Sequence, residues 1–211
     1  SLTEQQKNFI KLNKDQIFGY LKNSEVYSKN YNFLIFKSEV NKVPLSFSQE
    51  RLWFTEQYMH GSTSYNIPLA FKLVDDIKIE ILETSIKSII NRHEILRTLI
   101  KQDDEGNGYQ LVVGDWESKF SIDKKNIVLS ELEVELAKPL GYVYNLSEEY
   151  PIKVSIYEVS NNDVQKNPKY YLSVIIHHIA FDGWSIDIFL KELQVYYDYY
   201  LSKAKGIERA L

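Results

Sequence analysis

The sequence predicts an α+β fold in which a mixed, hairpin-rich sheet and its helices form two layers. Three observations carry this reading. "SYNIPLAFKLV", "YPIKVSIYEV" and "KYYLSVIIHHIAF" are rich in β-branched and aromatic residues, the composition of strands. "KIEILETSIKSIINRHEILRT" and "GWSIDIFLKELQVYYDYYLSK" repeat apolar residues at three- and four-residue steps, the period of helices. Strand and helix segments are mixed along the chain and no internal repeat recurs at a solenoid period.

Residues 1–43 are polar, Lys- and Asn-rich and weakly patterned. They read as a leader or linker, with "LTEQQKNFIKLNKDQIFGYL" as a candidate short amphipathic helix. The main fold, 44–211, opens with "VPLSFSQERLWFTEQYMHG". Ser46 or Ser48 is placed to cap a helix carrying Leu52, Trp53 and Tyr58, which Gly61 ends. The alternation from Ile67 to Leu73 predicts a strand, with Pro68 near its start or on an edge. Ile79, Leu82, Ile86, Ile89, Ile90 and His93 share one face of the next helix, so His93 reads as a core residue. "LRTLIKQDDEGNGYQLVVGDW" predicts two strands joined by a turn, because the acids and glycines of "DDEGNG" supply turn chemistry. "LSELEVELAKPLG" predicts a helix capped by Ser130 and stopped near Pro139 and Gly141. Two strands then flank the polar "SNNDVQKNP" loop, and a last helix presents Ile186, Phe189, Leu190, Leu193, Tyr197 and Tyr200.

Composition narrows the function. The chain has 211 residues, enough for one domain or one large lobe with a real core. A net charge of −4 gives no positive field to attract nucleic acid or an anionic membrane. Without cysteine there are no disulfides, thiolate zinc sites or cysteine nucleophiles. No apolar run reaches the roughly 20 residues that span a bilayer. "SLTEQQKNFIKLN" lacks the apolar core of a secretory signal. A cytoplasmic protein is the expectation.

Two of the four histidines, His177 and His178, stand side by side at the end of a strand-like run. Neighbours on a strand point to opposite faces, so the two rings do not converge on one ligand. That geometry counts against a metal held by His177, His178 and Asp182. One ring should be buried and tied by hydrogen bonds. The other should face a cavity, where its pKa near 6.5 suits it to exchange a proton. Alternation leaves open which is which. Asp182 sits where a carboxylate would cap the final helix, and Gly183 permits a tight turn and a close backbone approach.

"HHIAFDG", His177 to Gly183, resembles the HHxxxDG motif of condensation domains of nonribosomal peptide synthetases, a motif shared with chloramphenicol acetyltransferase. "SFSQERLWFTEQY" resembles the first core motif of that family, and "RHEILRT" resembles the second almost letter for letter. "SYNIP" is a further typical segment, and the resemblance covers about residues 44–205. It implies a chloramphenicol-acetyltransferase-like fold and, at this length, the N-terminal lobe of a two-lobe condensation domain. The implied reaction joins an acceptor amine to a donor thioester as a peptide bond. Both substrates ride on the phosphopantetheine arms of carrier proteins, and no cofactor or metal is bound by the lobe itself. The implied partners are the donor and acceptor carrier proteins, the C-terminal lobe and an adjacent adenylation domain.

The resemblance also assigns roles. His178 becomes the functional histidine, as general base or as positioner of the amine. Gly183 offers a backbone N–H to the thioester oxygen. His177 becomes structural. Asp182 becomes an anchor paired with Arg92, Arg97 being the competing partner. Arg51, Trp53 and His93 read as packing residues. The isolated lobe is expected to be inactive. Two other readings remain: an HHxxxDG acyltransferase that completes its site as an oligomer, and a non-catalytic docking module.

Overall fold

The computed structural model describes residues 42–59, 61–160 and 168–207. The amphipathic helix expected in the leader lies outside the described residues, as does most of the "SNNDVQKNP" loop. In chain order the elements are β1 (Lys42–Pro44), α1 (Phe47–Tyr58), β2 (Asn66–Lys72), α2 (Ile79–Arg92), β3 (Thr98–Gln102) and β4 (Gly108–Val112). There follow β5 (Ile122–Val128), α3 (Leu132–Ala137), β6 (Ile152–Ser160), β7 (Lys169–His177) and α4 (Gly183–Ala204).

Two sheets form. The larger has the order β2-β7-β6-β5, with antiparallel pairs except for parallel β5 and β6. The smaller, β1-β4-β3, is antiparallel throughout. Its β3-β4 hairpin turns at "DDEGNG" as expected, where Gly106 takes φ +88° and Asp103 accepts the N–H groups of Glu105 and Asn107. The mixed sheet expected from the interleaved segments is therefore present.

β7 is apolar on both faces because both are covered. Leu172, Val174 and Ile176 point to one side and join Val154 and Ile156 of β6. Helices α2 and α4 close that side with Ile86, Ile89, Ile90, Phe189 and Tyr196. The opposite side of β7 carries Ser173, Ile175 and His177. Ile175 packs there with Leu45, Ile100, Tyr144, Leu146 and Ile179. Burying each large aliphatic side chain in these clusters contributes about 1.5–3 kcal/mol. The strand that delivers the histidines is thus gripped from both sides up to its last residue.

Three elements differ from the sequence reading. β1 starts at Lys42, inside the segment assigned to the leader. β5, "IDKKNIV", is a strand that the pattern did not reveal, because as an edge it carries polar Asp123, Lys124, Lys125 and Asn126. The helix expected over "LSELEVELAKPLG" breaks into a six-residue α3 between two 3-10 turns, and Ser130 makes no capping bond. Glu131 instead accepts the Val128 N–H at 3.2 Å.

Gly61 closes α1 with φ +91°, and its N–H donates to the Glu56 carbonyl at 3.0 Å. A Cβ there would lie 2.6 Å from Val143 Cγ1. Gly61→Ala therefore combines a left-handed backbone with a clash. Urea denaturation should show a loss of about 1–3 kcal/mol; unchanged stability would mean that this turn is not so constrained.

Candidate active site

The site forms where β7 ends. His177 is the last residue of the strand, paired with Asn66 at the start of β2. Its N–H donates to the Pro151 carbonyl at 2.8 Å, and the His178 N–H donates to the Tyr65 carbonyl at 2.8 Å. The chain then turns, and the Ala180 N–H donates back to the His177 carbonyl at 3.0 Å. Gln49 of α1 donates from its side chain to the Ile179 carbonyl at 3.3 Å and to Gln110 Oε1 at 3.0 Å. Helix α1 begins at Ser46, which accepts the Gln49 N–H; Ser48 lies inside the helix.

The His177 ring is fully buried. Its Nδ1 accepts the Ile179 N–H at 3.1 Å, and Nε2 faces Glu56 Oε1 at 3.5 Å. Tyr144 meets the ring edge-on at 5.7 Å between centroids, and Tyr65 lies tilted at 6.2 Å. Burial lowers the ring from its ordinary 6.5 to about 4, and the His178 charge adds to the shift. The same burial raises the Glu56 carboxyl, against the pull of the Ser62 N–H, which donates to Oε2 at 3.0 Å.

His178 is exposed. Its ring has no hydrogen-bond partner among the described residues and lines a cleft of about 640 Å³. Ser48, Gln49, Arg51, Tyr65, Asp182 and Ser185 share the walls of that cleft. Among the described residues no cluster of three or more His, Asp or Glu side chains has the geometry to hold a metal ion.

Asp182 and Arg92 are not partners. Asp182 is the exposed N-cap of α4, accepting the Ser185 N–H at 2.9 Å and the Ser185 hydroxyl at 2.6 Å. Those bonds, the Ser185 hydroxyl first, hold its carboxyl below the ordinary range. Arg92 Nε lies 3.1 Å from Glu192 Oε1 instead, and His93 Nε2 lies 2.6 Å from Glu192 Oε2. The reason is helix geometry. Glu192 lies ten residues beyond Asp182, about 15 Å further along α4, level with the end of α2. His93 is therefore a half-exposed partner of Glu192, not a core residue. Arg97, the competing candidate, is buried and donates to the Val113 carbonyl and to Glu94.

Gly183 is the first residue of α4 and is exposed. It has no positive φ, and a Cβ would meet nothing within 4 Å. Neither turn strain nor contact within this chain calls for glycine there. Trp53 is half-buried against the cluster around Ile175, whereas Arg51 is exposed at the cleft. Glu56 and Gln49 escaped the sequence reading. One signal was present: Glu56 follows Trp53 by three residues, which puts a carboxylate on the inward face of α1.

The family model for the condensation domain matches residues 39–207. The chain belongs to the condensation-domain family. It is 34% identical to N-(5-amino-5-carboxypentanoyl)-L-cysteinyl-D-valine synthase of Amycolatopsis lactamdurans over 160 residues, 75% of this chain and 4% of that protein. It is 32% identical to cyclosporin synthetase simA of Tolypocladium inflatum over 163 residues, 76% of this chain and 1% of that protein. Among solved structures, the starter condensation domain of rhizomide synthetase RzmA superposes with a TM-score of 0.66 at 16% identity, covering 81% of this chain and 41% of that one. The X-domain from teicoplanin biosynthesis gives 0.65 at 23% identity, covering 83% and 36%. The chain thus spans a few per cent of its curated relatives and about two-fifths of its structural neighbours.

Two outcomes follow. His177 has a folded pKa below its unfolded one, so its share of stability is complete above pH 6.5 and is lost as pH falls towards 4. That share is at most about 3–4 kcal/mol, and Glu56, raised by burial, works in the opposite sense. In an NMR titration the His177 ring signal should stay flat from pH 8 to about 5; a midpoint near 6.5 would contradict its burial as the neutral form. In a double-mutant cycle by urea denaturation, Asp182→Ala should cost about 1 kcal/mol and Arg92→Ala under about 1, with no coupling beyond roughly 0.5. A larger coupling would restore the Arg92–Asp182 pair.

Proposed function

We propose that this chain forms the N-terminal half of a condensation site that makes peptide bonds between carrier-bound substrates, with His178 as the functional group. The observation that carries this reading is the exposed His178 ring, without a hydrogen-bond partner among the described residues, in a cleft beside the N-terminus of α4. The acceptor α-amine attacks the donor thioester carbonyl. A C–N bond forms, the C–S bond breaks, and the amine proton passes to the departing sulfur.

His178 serves this reaction by holding the amine in attack geometry and taking part of its proton. A free α-amine has a pKa of about 7.7–8.0 and is partly neutral already, so full base catalysis is not required. The Gly183 N–H belongs to the first turn of α4, where N–H groups have no intrahelical acceptor and the helix dipole favours negative charge. In this reading it is a donor for the developing oxyanion. The space beside Gly183 is open, since even a Cβ there would meet nothing within 4 Å. His177 and Asp182 support the turn, one from the core and one as helix cap. Arg92 supports the site only indirectly, through Glu192.

The phosphopantetheine arms enter with the donor and acceptor carrier proteins as substrate, and the chain itself binds no resident cofactor in this account. Coverage of about two-fifths of the structural neighbours supports a second lobe that closes the cleft; an adjacent adenylation domain completes the synthetase module in this reading. The cytoplasm is the compartment where such carrier-bound thioesters would be made. No described helix is long and apolar enough to cross a membrane.

The test uses loaded carrier proteins and mass detection of the peptide. In the intact synthetase, His178→Ala should lower condensation by about a hundredfold or more. The 211-residue chain alone should give no product. Undiminished product from His178→Ala would favour a docking module, and product from the chain alone as a stable trimer would favour an oligomeric acyltransferase.

A further inference from the structure

We infer that Glu56 is a positioning residue, which sets the His178 turn by orienting the His177 ring. This inference rests on the reading of His178 as the functional histidine. The His177 side chain reaches forward past His178 and takes the N–H of Ile179 on Nδ1 at 3.1 Å. His178 is therefore the residue enclosed between a ring and the backbone that the ring holds. If the ring rotates, that loop opens and the backbone angles of His178 change with it.

The ring has one way to be satisfied. Nδ1 is an acceptor, so the proton of the neutral ring sits on Nε2, which faces Glu56 Oε1 at 3.5 Å. The other carboxylate oxygen, Oε2, takes the Ser62 N–H at 3.0 Å. Glu56 thus meets two donors with two acceptor oxygens. The opposite tautomer would point Nδ1–H at the Ile179 N–H, two donors in conflict. Tyr65 and Tyr144 flank the ring at 6.2 and 5.7 Å and limit other orientations.

This arrangement needs a carboxylate, not merely a side chain of that shape. Glutamine has the same size but only one acceptor oxygen. In Glu56→Gln either the Ser62 N–H or His177 Nε2–H meets an NH₂ group, and a buried donor left without an acceptor is unfavourable. Aspartate keeps both oxygens and withdraws them by one methylene. The ordering of effects therefore distinguishes a positioning carboxylate from a packing residue, for which glutamine would be the milder change.

The experiment has two arms. In the 211-residue chain, nitrogen-15 imidazole spectra near pH 7 should show His177 as the Nε2–H tautomer. Glu56→Gln should mix the tautomers and shift the His178 ring signals, while Glu56→Asp should keep the Nε2–H form. In the intact synthetase, Glu56→Gln should lower kcat by roughly tenfold to a hundredfold. The KM for the acceptor carrier should stay within about twofold, since Glu56 does not touch substrate. Unchanged His177 and His178 spectra in Glu56→Gln, or equal effects of Gln and Asp, would overturn the inference. If Glu56→Gln does not fold, retention of the Nε2–H tautomer by Glu56→Asp supports the inference and its loss overturns it. A shifted spectrum with undiminished activity in His178→Ala would keep Glu56 as the positioner and remove the condensation reading.

Discussion

The site depends on one buried ring. His177 sits at the end of β7 with no solvent exposure, and its Nδ1 accepts the N–H of Ile179 two residues on. A strand that ends at a free edge frays, and its last side chains sample several directions. Here the last residue is fastened by its backbone to Pro151, by its ring to the following turn, and by packing to Tyr144 and Tyr65. Losing the Nδ1 bond would leave a buried acceptor and a buried donor unpaired, each costing about 1–3 kcal/mol. That penalty keeps the turn in one conformation.

The rest of the lobe serves this fastening. β7 is covered on one side by α2 and α4 and on the other by the cluster around Ile175. It therefore delivers His177 to a fixed point. Helix α1 comes across that end of the strand with Glu56 towards the ring and Gln49 on the Ile179 carbonyl. Asp182 then caps α4, so the next element starts at a defined residue. Between 177 and 185, identified bonds hold His177, His178, Ile179, Ala180, Asp182 and Ser185, while the His178 ring has no hydrogen-bond partner among the described residues. Low solvent access is what makes His177 unsuited to proton exchange near neutrality, whereas the His178 ring is exposed at the cleft.

Much of this was legible in the sequence, and the limits have physical causes. The expected divergence of the two histidines is present, but β7 ends at His177 and His178 lies in the turn that follows, so the strand's end as well as its period separates them. The helices α2 and α4 were readable because their apolar stripes are long. β5 was not, since an edge strand with two lysines shows no buried pattern. The α3 region looked helical by composition, but Pro139 and the short run between turns divide it. The Arg92–Asp182 pair came from the family resemblance and does not form here, because Glu192 rather than Asp182 lies level with Arg92. Glu56 is the reverse case. Its partner is 121 residues away in the chain, and only the fold brings a carboxylate of α1 to the end of β7.

The division of labour between the two histidines is tested most directly by their chemical accessibility. Brief treatment of the folded chain with diethyl pyrocarbonate near pH 7, followed by fragment mass spectrometry, assigns modification to His177 or His178 separately. The account predicts that His178 is carbethoxylated while His177 stays unmodified until the protein is unfolded. Modification of His177 at a rate comparable to His178 in the folded chain would contradict it.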